Sequence, residues 1–323
     1  MANYFKTDAG LWTGRKSDSQ LYLHEKVQCL DYGEMEFSTP SGDNFALLGY
    51  ACEEGVIRNQ GRKGASKGPD AIRQQLAKMP HHLNDETLLL DIGNIHCEDG
   101  NMEKAQGVLG KMVTSILQQG SFPTLLGGGH DIAYGHYLGI KSYLDAQGKN
   151  QTLGIINFDA HFDLRSTVDG NTSGTPFYQI ARDCKMENNP FKYMCLGIRK
   201  DSNSKTLFRR ARDLGVPYIE KKHFNLLHLN NIRYKLEQFI SGVDVIYTTI
   251  DLDGFSSAYA AGVSAASPMG FSPEMVLECL EIIIDSKKLI SMDIAEMNPT
   301  YDQDHQTAKL AASLIHFVMH NKT

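Results

Sequence analysis

Leu153-Gly-Ile-Ile-Asn-Phe158 runs directly into Asp159-Ala-His-Phe-Asp163. The first six residues are short in extent and mostly apolar, which reads as a parallel strand buried on both faces. The next five place Asp159, His161 and Asp163 at alternate positions just past the strand end, resembling half of a metal site. Three further apolar runs end in the same way. Phe122-Pro-Thr-Leu-Leu126 leads into Gly127-Gly-Gly-His130, Val245-Ile-Tyr-Thr-Thr-Ile250 into Asp251-Leu-Asp253, and Leu289-Ile-Ser-Met-Asp-Ile-Ala295 into Glu296. In a parallel sheet the carboxyl ends of the strands share one edge, where ligands bind in open α/β folds. Four strand ends that each deliver an imidazole or a carboxylate point to a dinuclear metal hydrolase.

The rest of the chain continues the alternation. Strands are expected at 45–50, 87–92, 122–126, 152–158, 193–198, 216–219, 244–250 and 288–294. Helices are expected at 69–79, 103–119, 131–147, 204–214, 229–241, 273–285 and 306–320. Gly68-Pro69 and Ser272-Pro273-Glu274 supply helix starts, since a proline in the first turn gives up an N–H that has no intrahelical partner. The alternation predicts an α/β fold of three layers, a mainly parallel sheet of about eight strands with helices on both faces. Residues 1–43 show little periodicity and are expected to form an extension packed on a single catalytic domain covering 1–323. Loops 61–68 and 254–270 are rich in small residues. The second is long enough to be either functional or disordered, and its place directly after Asp253 favours function.

Composition narrows the function classes. The net charge is −6, from 32 basic and 38 acidic residues without strong clustering, which argues against nucleic acid or an anionic membrane as partner. The first residues lack an apolar signal core and no stretch approaches a membrane span, so a soluble cytoplasmic protein is expected. Cys29, Cys52, Cys97, Cys184, Cys195 and Cys279 form no paired motif and read as reduced thiols.

Each motif alone has a plainer explanation. Gly127-Gly-Gly-His130 would be a glycine turn before a helix, the polar residues of 159–163 could cap the next helix, and a lone Glu296 is ordinarily solvated or paired. One shared geometry accounts for all of them together. His130, Asp159, His161, Asp163, Asp251 and Asp253 offer two imidazoles and four carboxylates, enough for two divalent ions if some carboxylates bridge. The oxygen-rich set favours Mn²⁺ over Zn²⁺, while iron and cobalt also suit these ligand types.

These motifs resemble the arginase/agmatinase (ureohydrolase) family, whose Gly-Gly-x-His, Asp-Ala-His-x-Asp and Asp-x-Asp segments are manganese ligands. Within it, the resemblance is to the branch that hydrolyses formimidoylglutamate. It is carried by Gly127–Asp131, Asn157–Arg165, Ser173-Gly-Thr-Pro-Phe177, Asn59–Gly64, Gly68–Arg73 and Leu11-Trp-Thr-Gly-Arg15, and it spans nearly the whole chain. The resemblance implies two Mn²⁺ per subunit, one held by His130 and Asp163, the other by His161 and Asp253, with Asp159 and Asp251 bridging. It further implies a hydroxide between the ions that attacks the amidine carbon of N-formimidoyl-L-glutamate, giving L-glutamate and formamide in histidine degradation. Glu296 would pair with the amidinium, and Asp163 would accept a hydrogen bond from the hydroxide and help move its proton. A homo-oligomer acting on a small molecule is implied as well.

Two departures from arginases bear on the substrate. Arginases carry a proton-shuttling histidine shortly after a Ser-Gly, where this chain has Phe177, with Tyr178 the nearest replacement donor. They typically carry asparagine two residues past the equivalent of Asp163, where this chain has Arg165. An arginine there suits a bidentate pair with a carboxylate, and formimidoylglutamate carries two carboxylates. An ordinary surface ion pair is the alternative for Arg165. Arg199 is a second, weaker substrate contact, and Asn59, Gly174 and the 254–270 loop are expected to line the same pocket. His136 and His316 read as structural or solvated. Other functions stay open: a ureohydrolase of arginine, agmatine or guanidinobutyrate, a non-catalytic family member, or a mononuclear zinc deacetylase. Retention of all six ligands opposes the non-catalytic reading, and His130-Asp131 in place of paired histidines opposes the deacetylase.

Overall fold

The computed structural model describes residues 3–34, 44–148 and 150–322. Its strands are β1 (Tyr4–Phe5), β2 (Gln28–Cys29), β3 (Asn44–Ala51), β4 (Leu89–His96), β5 (Ser121–Gly127), β6 (Leu153–Phe158), β7 (Lys192–Ile198), β8 (Tyr218–Glu220), β9 (Val245–Asp251) and β10 (Leu289–Ala295). They form one sheet in the order β1-β4-β3-β5-β10-β9-β6-β7-β8, with β2 also on β4. The eight expected strands are β3 to β10, and every pairing among them is parallel.

The helices are α1 (Leu23–Lys26), α2 (Glu54–Arg58), α3 (Gly68–Leu76), α4 (Met102–Gln118), α5 (Ile132–Ala146), α6 (Pro176–Met186), α7 (Lys205–Asp213), α8 (Leu229–Ser241), α9 (Pro273–Asp285) and α10 (Gln306–Lys322). Side chains alternate across each strand, so β3 sends Phe45 and Leu47 into a core shared with α3, α8, α9 and α10. Ala46, Leu48 and Tyr50 enter the opposite core, built with α4, α5, α6 and α7. Each fully buried Leu, Ile or Phe contributes about 1.5–3 kcal/mol, which makes these two cores the main support of the layered arrangement.

Strands β1 and β2 and helices α1, α2 and α6 lie outside the expected set. Residues 1–43 were expected as an extension packed on the domain, and within it β1 pairs antiparallel with β4 and β2 pairs parallel with it. Two-residue strands have no periodicity of their own, and their partner edge decides them. Residues 1, 2 and 35–43 of that extension lie outside the described residues. Helix α6 starts with Pro176 in its first turn, in a stretch for which no helix was expected. Loop 254–270 is ordered by bridges between Phe255 and Phe271 and between Ser256 and Ser267. Gly262 fastens it further, its N–H donating to Thr307 Oγ1 at 2.8 Å and its carbonyl accepting from Asn298 N at 2.7 Å.

Two distant motifs meet beneath the sheet edge. Arg73 is fully buried and donates through Nε and Nη2 to the two oxygens of Asp91, at 2.7 and 2.9 Å. The Trp12 indole donates to Asp91 Oδ2 at 2.7 Å. Leu11–Arg15 and Gly68–Arg73 therefore serve the fold, tying the N-terminal segment to β4. No helix among the described residues is long and apolar enough to cross a membrane.

Candidate metal centre and substrate cavity

The four strands whose ends carry the motifs, β5, β10, β9 and β6, are consecutive neighbours in the sheet. Their carboxyl ends therefore converge at its centre, and two overlapping groups of ligands result. His130, Asp159, Asp163 and Asp251 form one, and Asp159, His161 and Asp253 form the other. Asp159 is shared, whereas Asp251 falls only in the first group, although both were expected to bridge.

Local backbone geometry aims these side chains. A Cβ on Gly128 would lie 1.9 Å from the Cys52 carbonyl oxygen, so the turn before His130 has room only for glycine there. Asp163 and Glu296 adopt left-handed backbone, with φ of 47° and 67°. That region is sparsely populated by residues other than glycine and concentrates at functional sites. Asn203 braces the loop after β6, its Oδ1 accepting from Phe162 N at 3.0 Å and its Nδ2 donating to Ala160 O at 2.8 Å.

His130 Nδ1 lies 2.9 Å from Asp163 Oδ2, 3.0 Å from Asp251 Oδ2 and 3.3 Å from Asp159 Oδ2. His161 Nδ1 lies 3.4 Å from Asp159 Oδ1 and 3.3 Å from Asp253 Oδ2. Ligands about 2.1 Å from a common ion sit roughly 3 Å from one another in an octahedral arrangement, so these spacings suit coordination. The other face of His130 fixes its protonation. Thr249 Oγ1 donates its proton to Asp293 Oδ1 at 2.6 Å, so it accepts from His130 Nε2–H at 2.9 Å. Asp293 Oδ2 in turn accepts from Tyr247 Oη at 2.5 Å and contacts His136 Nδ1 at 2.8 Å. In the neutral ring His130 Nδ1 is thus the lone pair, and it faces three carboxylates. It and Asp253 Oδ1 are buried without a hydrogen-bond partner.

The electrostatics call for added positive charge. Burial, then Asp251 and Asp253, push the Glu296 carboxyl well above its usual range. Burial and the neighbouring Asp251 do the same to Asp253. Burial and the adjacent Asp159 charge raise Asp163 to about 6. Burial opposes protonation of His130 and His161, yet the carboxylates around them hold both imidazoles well above their usual value. Asp159 stays below the usual carboxylate range, because the neighbouring imidazoles of His130 and His161 outweigh its burial. Either protons or cations must neutralise this cluster, and the donor set fits divalent cations.

A cavity of about 290 Å³ opens over the centre. Asn59, Arg165, Asp163, Asp251, Asp253 and Glu296 line it together with both histidines, and Ser264 and Ala265 bring the 254–270 loop to its wall. Glu296 Oε1 accepts from His130 N at 3.0 Å. Arg165 pairs with no carboxylate among the described residues, so the surface ion pair is not formed. Gly174 is not part of the lining. A Cβ there would lie 2.7 Å from Arg165 Cδ, so its bareness lets that side chain lie across it. Arg199 is also absent from the lining, its guanidinium taken at 3.0 and 2.6 Å by the Asp201 carboxylate. Phe177 packs edge-on behind His130 at 5.4 Å and stacks on Tyr193. Tyr178 lies outside the lining, beneath Arg210.

Thr249, Asp293, His136, Asn203 and Arg62 were not singled out for the site. Polar residues inside the apolar runs of β9 and β10 were the available signal, because a buried hydroxyl or carboxylate needs partners. Arg62 and Asn203 act through contacts distant in sequence and left no such mark.

The arginase-family model matches residues 43–320 of this chain. The formimidoylglutamase of Clostridium tetani is 40% identical, over 98% of this chain and 96% of that protein. That of Cupriavidus pinatubonensis is 45% identical, over 94% and 95%. Among solved structures, the formimidoylglutamase of Bacillus subtilis superposes with a TM-score of 0.81 at 24% identity, covering 98% and 96% of the two chains. Trypanosoma cruzi formiminoglutamase with Mn²⁺ gives a TM-score of 0.75 at 23% identity, over 89% and 95%.

Proposed function

This chain belongs to the arginase family, and on that footing we propose that it hydrolyses N-formimidoyl-L-glutamate to L-glutamate and formamide. The observation that carries the reading is the joined pair of His/Asp groups at the end of a cavity, in a chain 40–45% identical to formimidoylglutamases over nearly its full length. The reading takes the chain as one catalytic domain with residues 3–34 packed on it, in a cytoplasmic homo-oligomer.

His130, Asp159, Asp163 and Asp251 would hold one ion, and Asp159, His161 and Asp253 the other, with Mn²⁺ favoured by the oxygen-rich set. When bound, such ions lower the pKa of water and supply a nucleophile at neutral pH. The chain's own groups do the rest. Glu296, fixed through the His130 N–H, keeps its second oxygen for an amidinium N–H of the substrate. Asp163 stands at the cavity wall in strained backbone and is placed to take a proton from the attacking water. Arg165, unpaired and in the lining, receives a substrate carboxylate. Asn59, held at 3.3 Å from Ser173 Oγ, offers a polar contact beside it.

Turnover of formimidoylglutamate, arginine, agmatine and guanidinobutyrate by Mn²⁺-loaded protein tests this. Hydrolysis of the first alone is expected. Release of urea from a guanidino compound would transfer the metal site to the ureohydrolase reading.

A further inference from the structure

Two guanidinium groups line the cavity, and neither forms an ion pair with a carboxylate of the described residues. One is Arg165. The other is Arg62, in the segment between α2 and α3. Arg62 Nε donates to Ser264 O at 3.0 Å, and its Nη2 donates to Val263 O. Its guanidinium carbon lies 3.8 Å from the centre of the Tyr301 ring. Its backbone N–H donates to Ser264 Oγ at 2.8 Å, and its carbonyl accepts from Asn298 Nδ2 at 3.2 Å. All of these partners are neutral, so the charge is uncompensated. Nη1 has no hydrogen-bond partner among the described residues. A guanidinium stacked on a ring and pinned by two carbonyls is pre-organised, and it loses little freedom on gaining a further acceptor.

The charge balance gives this a purpose. Asp159, Asp163, Asp251, Asp253 and Glu296 outweigh two divalent ions by one negative charge. A substrate whose far end bears two carboxylates would be repelled from such a site. Arg62 and Arg165 reverse the balance to one positive charge, complementary to an amidine diacid of net charge −1.

We propose that Arg62 and Arg165 are the specificity-determining pair, each receiving one of the two carboxylates of an amidine diacid. The proposal rests on the formimidoylglutamate reading above. Arg62 thereby has two tasks, since it also fastens loop 254–270 to the segments 59–64 and 298–301.

Three substrates separate the tasks: formimidoylglutamate, the formimidoyl derivative of 2-aminopentanoate (no side-chain carboxylate) and that of 4-aminobutyrate (no α-carboxylate). Arg62→Met and Arg165→Met are each expected to raise KM for the diacid about 10- to 100-fold, the range for losing a charge-assisted hydrogen bond, with a smaller change in kcat. Each variant's penalty should vanish on one monoacid, a different one for each arginine. An equal loss of kcat/KM on all three substrates from Arg62→Met would show a loop fastener alone and overturn the proposal, as would no loss at all. Inhibition of the unaltered enzyme covers the case of a variant that does not fold. Glutarate should inhibit more strongly than pentanoate, and equal inhibition overturns the pairing. Failure of the unaltered enzyme to turn over formimidoylglutamate would instead defeat the functional reading, and the pairing with it.

Discussion

His130 Nε2 lies 2.9 Å from Thr249 Oγ1, whose own proton is already given to Asp293 at 2.6 Å. A hydroxyl two strands away in the sheet thus decides which nitrogen of His130 is free to bind a cation. Such supporting contacts commonly change metal affinity 10- to 100-fold when lost. Thr249→Val should therefore weaken metal binding by roughly that factor, while Thr249→Ser should keep it. Calorimetric titration of the metal-free proteins checks this, and equal affinities in all three would mean that another group orients His130.

Metal removal should cost stability. The buried carboxylates of Asp159, Asp163, Asp251 and Asp253 repel one another without cations, and an ion that binds only the folded chain stabilises it by mass action. At free metal one hundred times its Kd the gain is about 2.7 kcal/mol per site. Chelation should lower Tm by several degrees and added Mn²⁺ should restore it. A melting curve indifferent to both would remove the basis for a built metal centre.

Asp91 sits fully buried under three side-chain donors, Arg73, Trp12 and Thr7. Asp91→Ala leaves the buried Arg73 charge with only a 3.4 Å contact to the exposed Asp70, and breaking a buried pair costs about 3–5 kcal/mol. Chemical denaturation should show that loss, whereas metal stoichiometry of the folded fraction should not change. A change below about 1 kcal/mol would mean that water replaces the carboxylate.

Phe177, at the place where the resemblance to arginases calls for a histidine, is buried between His130 and Tyr193. Phe177→His should not create arginase activity, since the new ring would lie behind the metal ligand. It would bury polar nitrogens without partners, at a cost of about 1–3 kcal/mol. A urea-producing variant of undiminished stability would show that the side chain reaches the cavity.

What could be read from the chain alone followed from how each signal is encoded. The strand ends carrying His130, Asp159, Asp251 and Glu296 were legible, because a buried strand is a continuous apolar run and a ligand is polar at its end. That these ends share one edge also follows from parallel pairing, although the neighbour order β5-β10-β9-β6 does not. Strands β1 and β2 were invisible, since two residues cannot show a period and β4 supplies the reason they exist. Helix α6 was hidden behind Ser173-Gly-Thr-Pro176, which reads as a loop until the proline is placed in a first turn. The pairing of Arg199 was not legible, because nothing in Arg199-Lys-Asp201 foretells that the aspartate two residues on would claim its guanidinium. Arg62 stood inside a quoted motif, yet its role depends on Ser264 and Tyr301, more than two hundred residues away.

The most direct test follows the label from formimidoylglutamate carrying carbon-13 at the formimidoyl carbon, incubated with Mn²⁺-loaded protein and read by NMR. The expected result is label in formamide, with one equivalent of free glutamate. Label in N-formylglutamate with ammonia released, or an unchanged substrate signal beside urea formed from a guanidino compound, would contradict it.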